Sequence, residues 1–428
     1  MEELMQYVWR FRLWPPSVMV TVDGQRIDVI DPGELNRGSG PDFFNAKISI
    51  GGQMWIGNVE IHVRASDWMR HGHDSDRAYD NVVLHVVEVD DCPVYRSDGQ
   101  LIPQMVMRCA ADFSQRYAQM VGNPALELAC AAELPSVPQI NISDWICALG
   151  YERLQAKADR ASAVARAAGG NWMEAIYVTL ARALGFGTNA EPMELLARTT
   201  PLKALLRHSD EPTAVEAMLF GQAGLLAGKE ASEDGYVQRL CSDYAFYSAK
   251  YGLQASDGVC WKMARMRPQN FPHRRIAALA RFVAGGFRFG SNVLAVKTED
   301  EARALFDLQL DGYWARHYSL SDGGSGSSPR AFSHSSTTVL IINVVAPLLY
   351  AFGQETGDTR RQETATDLMQ QLKPEQNSII DIFARAGLRA DSAFASQALI
   401  QLRREYCVPR KCLFCRIGHR LLSHKAVR

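Results

Sequence analysis

The sequence predicts an α+β protein, with a mixed α/β N-terminal domain followed by a large all-α domain, and three observations carry that prediction. Residues 18–107 hold short apolar segments of period two, separated by turns containing Gly and Asp. From about residue 112 the spacing lengthens to 3.6, in long Ala- and Leu-rich segments. At 428 residues the chain is too long for one ordinary hydrophobic core, so two or three domains are expected.

Taken in order, residues 2–14 space their apolar side chains as a helix does. Residues 18–22 and 26–30 then form a hairpin around Asp23-Gly24, because Asp-Gly supplies the positive φ angles of a tight turn. After a Gly- and Pro-rich loop, Phe44, Ala46, Ile48 and Ile50 alternate with polar residues as one half-buried strand. Gly51-Gly52 turns the chain into a second strand, 55–64. Residues 66–80 are polar, a loop with a short helix. Val82–Val89 has the length of a strand, and a last hairpin joins 94–95 to 103–107 around Ser97-Asp98-Gly99. Helices are expected at 140–168, 171–184, 190–206, 212–227, 234–251, 273–286, 300–310, 339–353, 362–371, 376–386 and 391–406, and a flexible loop at 319–337. The domains are then 1–115, 116–401 and a basic tail, 402–428.

The net charge of −1 hides an asymmetry. Residues 1–115 hold 17 acids against 10 bases, whereas 402–428 hold one acid against 8 bases. An acidic N-terminal domain suits a cation better than it suits nucleic-acid phosphates. The longest apolar run, Val339–Phe352, contains Asn343 and Pro347 and falls short of the roughly 20 residues that span a bilayer. It reads as a buried helix. With no signal peptide at the start, the expectation is a cytoplasmic protein without a membrane partner. Of nine cysteines, six (Cys92, Cys109, Cys130, Cys147, Cys241, Cys260) are scattered and expected as buried thiols.

Chemistry concentrates in the N-terminal domain. Glu34, Asp42, Glu60 and His62 are followed by His71, His73, Asp74 and His85, so four of the ten histidines lie between residues 62 and 85. Carboxylates bind hard divalent cations, and imidazole extends the choice to manganese, iron or zinc. Pro41-Asp42 on one strand and Glu60-Ile61-His62 on the next resemble the PD-(D/E)XK nuclease superfamily. The resemblance implies a restriction-endonuclease-like domain, with Asp42 and Glu60 as ligands of magnesium or manganese and Glu34 as a third. The bound ion would lower the pKa of a water molecule, and His62, standing where the family has lysine, would orient or deprotonate that water. His71 and His73 join the candidate metal ligands; His-x-His among strands also resembles the metal site of cupin-type barrels. The whole chain is similar, too, to an uncharacterised bacterial family known only as a domain of unknown function. PGELN, GPDFFNAKI, GNVEIHVRASDW, HGHDSD, RPQNFPHRRIA and CLFCRIGH carry that likeness.

Strand register tests the arrangement. If Gly51-Gly52 is a two-residue turn, Asp42 faces Ile61 and points away from Glu60 and His62. Convergence then requires a bulge, with Gly57 the natural place, or Asp42 outside the strand; a three-residue turn would instead set Asp42 opposite His62.

Two further clusters remain. Cys407, Cys412, Cys415 and His419 give four soft ligands for a structural zinc ion; the nuclease resemblance makes an iron–sulfur cluster the alternative. Lys262, Arg265, Arg267, Arg274 and Arg275, with Trp261 and Phe271, suit phosphate contacts and base stacking. The functional expectation is a metal-dependent nuclease or phosphodiesterase acting on nucleic acid. The alternative is a non-catalytic binding or scaffold protein on a degenerate nuclease-like fold.

Overall fold

The structure, a computed structural model, describes residues 1–14, 19–36, 38–122, 126–255, 260–321, 324 and 328–423. Two compact units result: Met1–Trp145 together with Arg403–Arg428, and Ile146–Leu402. Residues 116–145, which share the helical texture of the later chain, therefore cluster with the N-terminal unit, as does the tail from residue 403. Helical spacing reports the element; it does not report which core the apolar stripe packs on.

The N-terminal unit is built on a seven-stranded mixed sheet. Helix α1 (Glu2–Arg10) starts with Glu2 and Glu3 and ends with Arg10, charges that oppose the helix dipole at each end. It stops short of the expected residue 14, because Arg12 adopts a left-handed φ of 54°. Strands β1 (Met19–Val20) and β2 (Arg26–Asp31) form the first hairpin; Val18 lies outside the described residues. After the short β3 (Glu34–Leu35) come β4 (Phe43–Ile50) and β5 (Gln53–Arg64), then helix α2 (Asp67–Arg70), β6 (Val82–Val89) and β7 (Gln104–Val106). The order is β1-β2-β4-β5-β6-β7, with β3 paired to β4. Pairings up to β4–β5 are antiparallel, whereas β5–β6 and β6–β7 are parallel. The last expected hairpin is reduced to a Tyr95–Leu101 bridge, and β7 pairs alongside β6 instead.

The β4–β5 turn is the two-residue one, since Ile50 pairs with Gln53. The register then slips between Ala46↔Gly57 and Phe43↔Val59. The extra residue is in β4, where Asn45 takes φ 57°, a left-handed conformation that asparagine tolerates better than most side chains. The bulge is thus at Asn45 and not at Gly57. Gly57 is needed for another reason: a Cβ there would meet Val83 at 2.3 Å and the Asn81 carbonyl at 2.7 Å. Because the slip moves every later pair by one, Asp42 comes across from Glu60 on one face, with Phe43 and Val59 fully buried on the other.

The second unit, Ile146–Leu402, is helical around one large core. The pattern at 190–206 is two helices, Ala190–Thr199 and Leu202–Leu206, since Pro201 between them lacks an amide hydrogen. The apolar run at 339–352 belongs to a continuous helical stretch, His334–Thr356, that is long and apolar enough to cross a membrane and is 67% buried within its most apolar window. A π-turn at Ile341–Val345 precedes Pro347. The stretch begins inside the loop expected at 319–337. Ser333 caps it by accepting the Ser336 amide, so residues 334–337 are helical; residues 322–323 and 325–327 of that loop lie outside the described residues.

Candidate metal centre

Parallel pairing sets the stage for the site. Glu60 and His85 are partners across β5–β6, so their side chains leave the sheet on the same face as His62, two residues along β5. The polar segment 66–80 folds back over this face. Trp68, fully buried, packs against the His85 ring at 5.2 Å and the His73 ring at 5.4 Å, and Tyr79 stacks on His73 at 3.8 Å. The loop residues His71 and His73 are delivered by this fold-back, which no local pattern in the sequence specifies.

Three imidazole nitrogens converge, with Glu60 against two of them. His62 Nε2 lies 3.2 Å from His71 Nδ1 and 3.5 Å from Glu60 Oε1, and His73 Nε2 lies 3.4 Å from the same Glu60 oxygen. Ligand atoms of His62, His71 and His73 are all within 4.8 Å of one another. A tetrahedron with zinc-like bonds of about 2.0–2.1 Å has edges of about 3.3–3.4 Å, and the three measured edges straddle that length. Glu60, His62 and His73 are buried, while His71 is exposed and leaves the cluster open on one side.

The surroundings hold these donors in place. His62 Nδ1 is 2.9 Å from His85 Nε2, an arrangement that fixes the ring and its tautomer, as the outer partner of a metal-ligating histidine does. Burial, reinforced by His73 and then His71, pulls the His62 pKa down to about 3. Burial and the neighbouring His62 do the same to His85, also to about 3. Both imidazoles are therefore neutral at pH 7, the form that binds metals. Glu60 Oε2 accepts the Asp42 backbone amide at 2.9 Å. Tyr79 is pushed up to about 12, mainly by burial and next by the charge of Glu60.

Asp42 stands beside this set rather than in it. One of its oxygens accepts from Gln6 Nε2 at 2.8 Å, and the other accepts the Ile61 amide at 3.0 Å. Burial, then the charge of Glu60, raises its pKa to about 7. Glu34, expected as a third carboxylate, is exposed on β3 and takes no part in the histidine group. The acid that α1 brings near is Glu2, whose pKa is raised by burial and which senses His71, Glu60 and Asp67. Asp74 is exposed. Glu2 and Gln6 escaped the sequence reading, although their i, i+4 spacing on the first helix was the available signal.

The other predicted sites fare differently. Arg274 and Arg275 are buried, 2% and 4% exposed, and serve the second unit internally. Arg274 donates to the Trp314 and Ser328 carbonyls, each at 2.7 Å, and Arg275 donates to Ala331 at 3.1 Å. They tie Trp314, Ser328 and Ala331 to the helix Pro272–Val283 instead of facing solvent. Lys262, Arg265 and Arg267 are exposed. In the tail, His419 pairs its Nδ1 with the Tyr7 hydroxyl and packs against Phe11 at 4.4 Å. Burial, and after it the charge of neighbouring thiols, raises the pKa of Cys130, Cys407 and Cys412, and burial raises that of Cys415. Cys147 and Cys260, expected to be buried, are exposed.

No curated protein and no solved structure matches the chain. A family model does, over residues 2–378, and by that match the chain belongs to the family described as "Protein of unknown function (DUF2851)".

Proposed function

We propose that the N-terminal unit is a metal-dependent hydrolase of phosphodiester bonds, with its ion held by Glu60, His62, His71 and His73. The observation that carries this reading is the approach of three imidazole nitrogens and one carboxylate oxygen along contacts of 3.2–3.5 Å. Imidazole nitrogens and a carboxylate oxygen gathered at this spacing are the kind of ligand set that a divalent transition-metal ion takes. Three imidazoles and one carboxylate suit manganese, iron or zinc better than magnesium. When bound, such an ion lowers the pKa of a coordinated water and neutralises charge developing on a phosphoryl group.

The chain's own residues divide the remaining work. His62 is a ligand in this scheme, because it is 1% exposed and its second nitrogen is committed to His85. Asp42 is a positioning residue: its amide anchors Glu60, and its carboxylate holds α1 through Gln6 and β5 through Ile61. The exposed side of His71 is the route for water and substrate.

Phosphodiester as the substrate class is supported by the placement of Pro41-Asp42 at the head of β4 and Glu60-x-His62 on β5. An N-terminal helix carrying Glu2 and a parallel β6 add to it. This arrangement resembles that of PD-(D/E)XK nucleases, departing from it at His62 and at the exposed Glu34. One observation favours a second reading, a non-catalytic binding protein: both Asp42 oxygens are already engaged within the unit.

The test is cleavage of DNA, RNA and a small chromogenic phosphodiester by full-length protein, stripped with chelator and reloaded with manganese, zinc or magnesium. Glu60→Gln, which keeps the acceptor for the Asp42 amide, is expected to lose about 100-fold or more in rate. No cleavage with any ion, or equal rates in wild type and variant, would favour the binding protein.

A further inference from the structure

Strand β5 outruns the strand beside it. On its parallel side β6 begins at Val82, opposite Asn58, whose amide donates to the Asn81 carbonyl at 2.8 Å. Residues Gln53–Gly57 therefore pair with β4 alone. The turn decides which groups face the open side. Gly51 and Gly52 take φ of 59° and 87°, as in a two-residue hairpin turn whose flanking residues, here Ile50 and Gln53, exchange hydrogen bonds. Bonded pairs recur at every second residue, so Trp55 and Gly57 also turn their amides and carbonyls toward β4. Those of Met54 and Ile56 point the other way, and among the described residues no hydrogen bond reaches them.

The open edge is apolar and unguarded. Met54, Trp55 and Ile56 are 55%, 38% and 66% exposed. Gln53–Gly57 carries no charge and no proline, the residues that keep an edge strand from pairing. Elsewhere the sheet is protected. β1 and β7, the outermost strands, are only two and three residues long. β2 beyond Ile27 has Asp28 and Asp31, and its Ile30 carbonyl accepts from Arg12 at 2.6 Å.

The free stretch is complementary to itself. Its centre is Trp55, so a second copy laid antiparallel on a two-fold axis at that residue brings Met54 opposite the partner's Ile56, and Ile56 opposite the partner's Met54. All four residues aim their amides and carbonyls across the junction, which makes four main-chain hydrogen bonds. Gln53 meets the partner's Gly57, and the partner's turn comes where β6 starts, so each copy fills the other's gap and no more. The two Trp55 side chains form the close, non-bonded cross-strand pair on one face, and Met54 packs on the partner's Ile56 on the other. With no charged residue in the stretch, no like charges are opposed. At roughly 200 Å² per large side chain, the exposed parts of the three bring about 600 Å² to the pair, about half of what the smallest stable complexes bury. Four main-chain bonds and this area suit a dimer that forms and dissociates with concentration.

We propose that two copies of the chain associate by antiparallel pairing of Gln53–Gly57, which joins their sheets into one. A strand from another protein would satisfy the same main-chain groups, but only a copy matches the length and centre of this edge by symmetry. The two-fold axis stands perpendicular to the joined sheet. Met54 and Ile56 share the face of Glu60 and His62, so the histidine-rich centres of both copies lie on the same side of it. The inference stands whether or not those centres hold a metal.

The experiment is sedimentation velocity of the full chain in reducing buffer, from about 1 to about 200 µM. Wild type is compared with Met54→Lys, Ile56→Lys and, as a control at an exposed apolar residue of β7, Val106→Lys. Wild type and the control should pass from monomer to dimer across this range, and each edge variant should weaken dimerisation by about tenfold or more. A second readout uses Trp55→Cys in a chain whose exposed Cys147 and Cys260 are replaced by serine. Cα atoms about 4.5 Å apart on the axis are within disulfide reach, so mild oxidation should link two copies covalently, whereas Val20→Cys in the same background should not. A monomer at every concentration overturns the proposal. So does a dimer that both lysine variants leave intact, or linking through Val20→Cys as efficient as through Trp55→Cys. Circular dichroism checks that each variant folds; should one lysine variant fail to fold, the other and the oxidation result decide the matter.

Discussion

Replacing His73 by phenylalanine separates metal binding from packing at the histidine-rich centre. The ring of His73 is 9% exposed and stacks on Tyr79 at 3.8 Å, so phenylalanine keeps the volume and the stack while removing the nitrogen 3.4 Å from Glu60. The metal-free protein should then lose no more than about 1–2 kcal/mol, the range for a shape-conserving swap. An ion that binds the folded state alone stabilises it by about 2.7 kcal/mol at a free concentration of about 100 Kd. For a unit of roughly 170 residues, about 2–4 °C per kcal/mol gives a shift of about 5–11 °C. The assay is differential scanning fluorimetry of chelator-stripped wild type and His73→Phe, titrated with zinc and manganese. Wild type should show the shift and the variant should lose it. Ions captured elsewhere, for instance by thiols, would move both proteins alike. Equal shifts in the two, or none in wild type, would refute the assignment of His73 as a ligand.

Two predictions concern the helical unit. Burial raises the Glu216 pKa to about 7, its hydrogen bond from Tyr236 only partly offsetting the effect. The native state thus keeps a proton that the unfolded chain gives up near pH 4.5, and stability falls as pH rises from about 4.5 to 7. Glu216→Gln, uncharged throughout, should gain about 2.5 kcal/mol more over wild type at pH 8 than at pH 5 in urea denaturation, and a pH-independent difference would contradict this. Arg274→Met should cost about 3–5 kcal/mol, because it strands the Trp314 and Ser328 carbonyls in the interior. Arg267→Ala, at an exposed position, should stay within about 0.5 kcal/mol; similar losses in the same denaturation assay would mean Arg274 does not hold the loop.

Most elements were legible in the sequence. The strand β6 matches its apolar run at Val82–Val89, and the helices Trp172–Leu184 and Gly235–Tyr251 match their periodic segments within a residue. Local spacing and turn residues suffice there, because each element's pattern records its own buried face. The chemistry was half legible. That Glu60, His62, His71 and His73 carry ligand-type atoms was plain from composition. Whether Asp42 shared their face turned on a single extra residue, and no sequence rule places a bulge at Asn45 instead of Gly57. Glu34 and Asp42 looked equivalent to Glu60 in the sequence; only the fold buries one beside imidazoles, ties another to Gln6, and leaves the third in solvent.

The sequence by itself determined where helices and strands lie, which half of the chain is sheet-based and which residues are chemically able to bind a metal, since these follow from side-chain type and periodicity within a few residues. Tertiary structure alone decided which of those residues meet. His71 and His73 are folded back onto His62, His419 is drawn away to Tyr7, and Arg274 is turned inward. Each outcome is set by packing and hydrogen bonding between segments far apart in the chain, a contribution that no window of neighbouring residues contains.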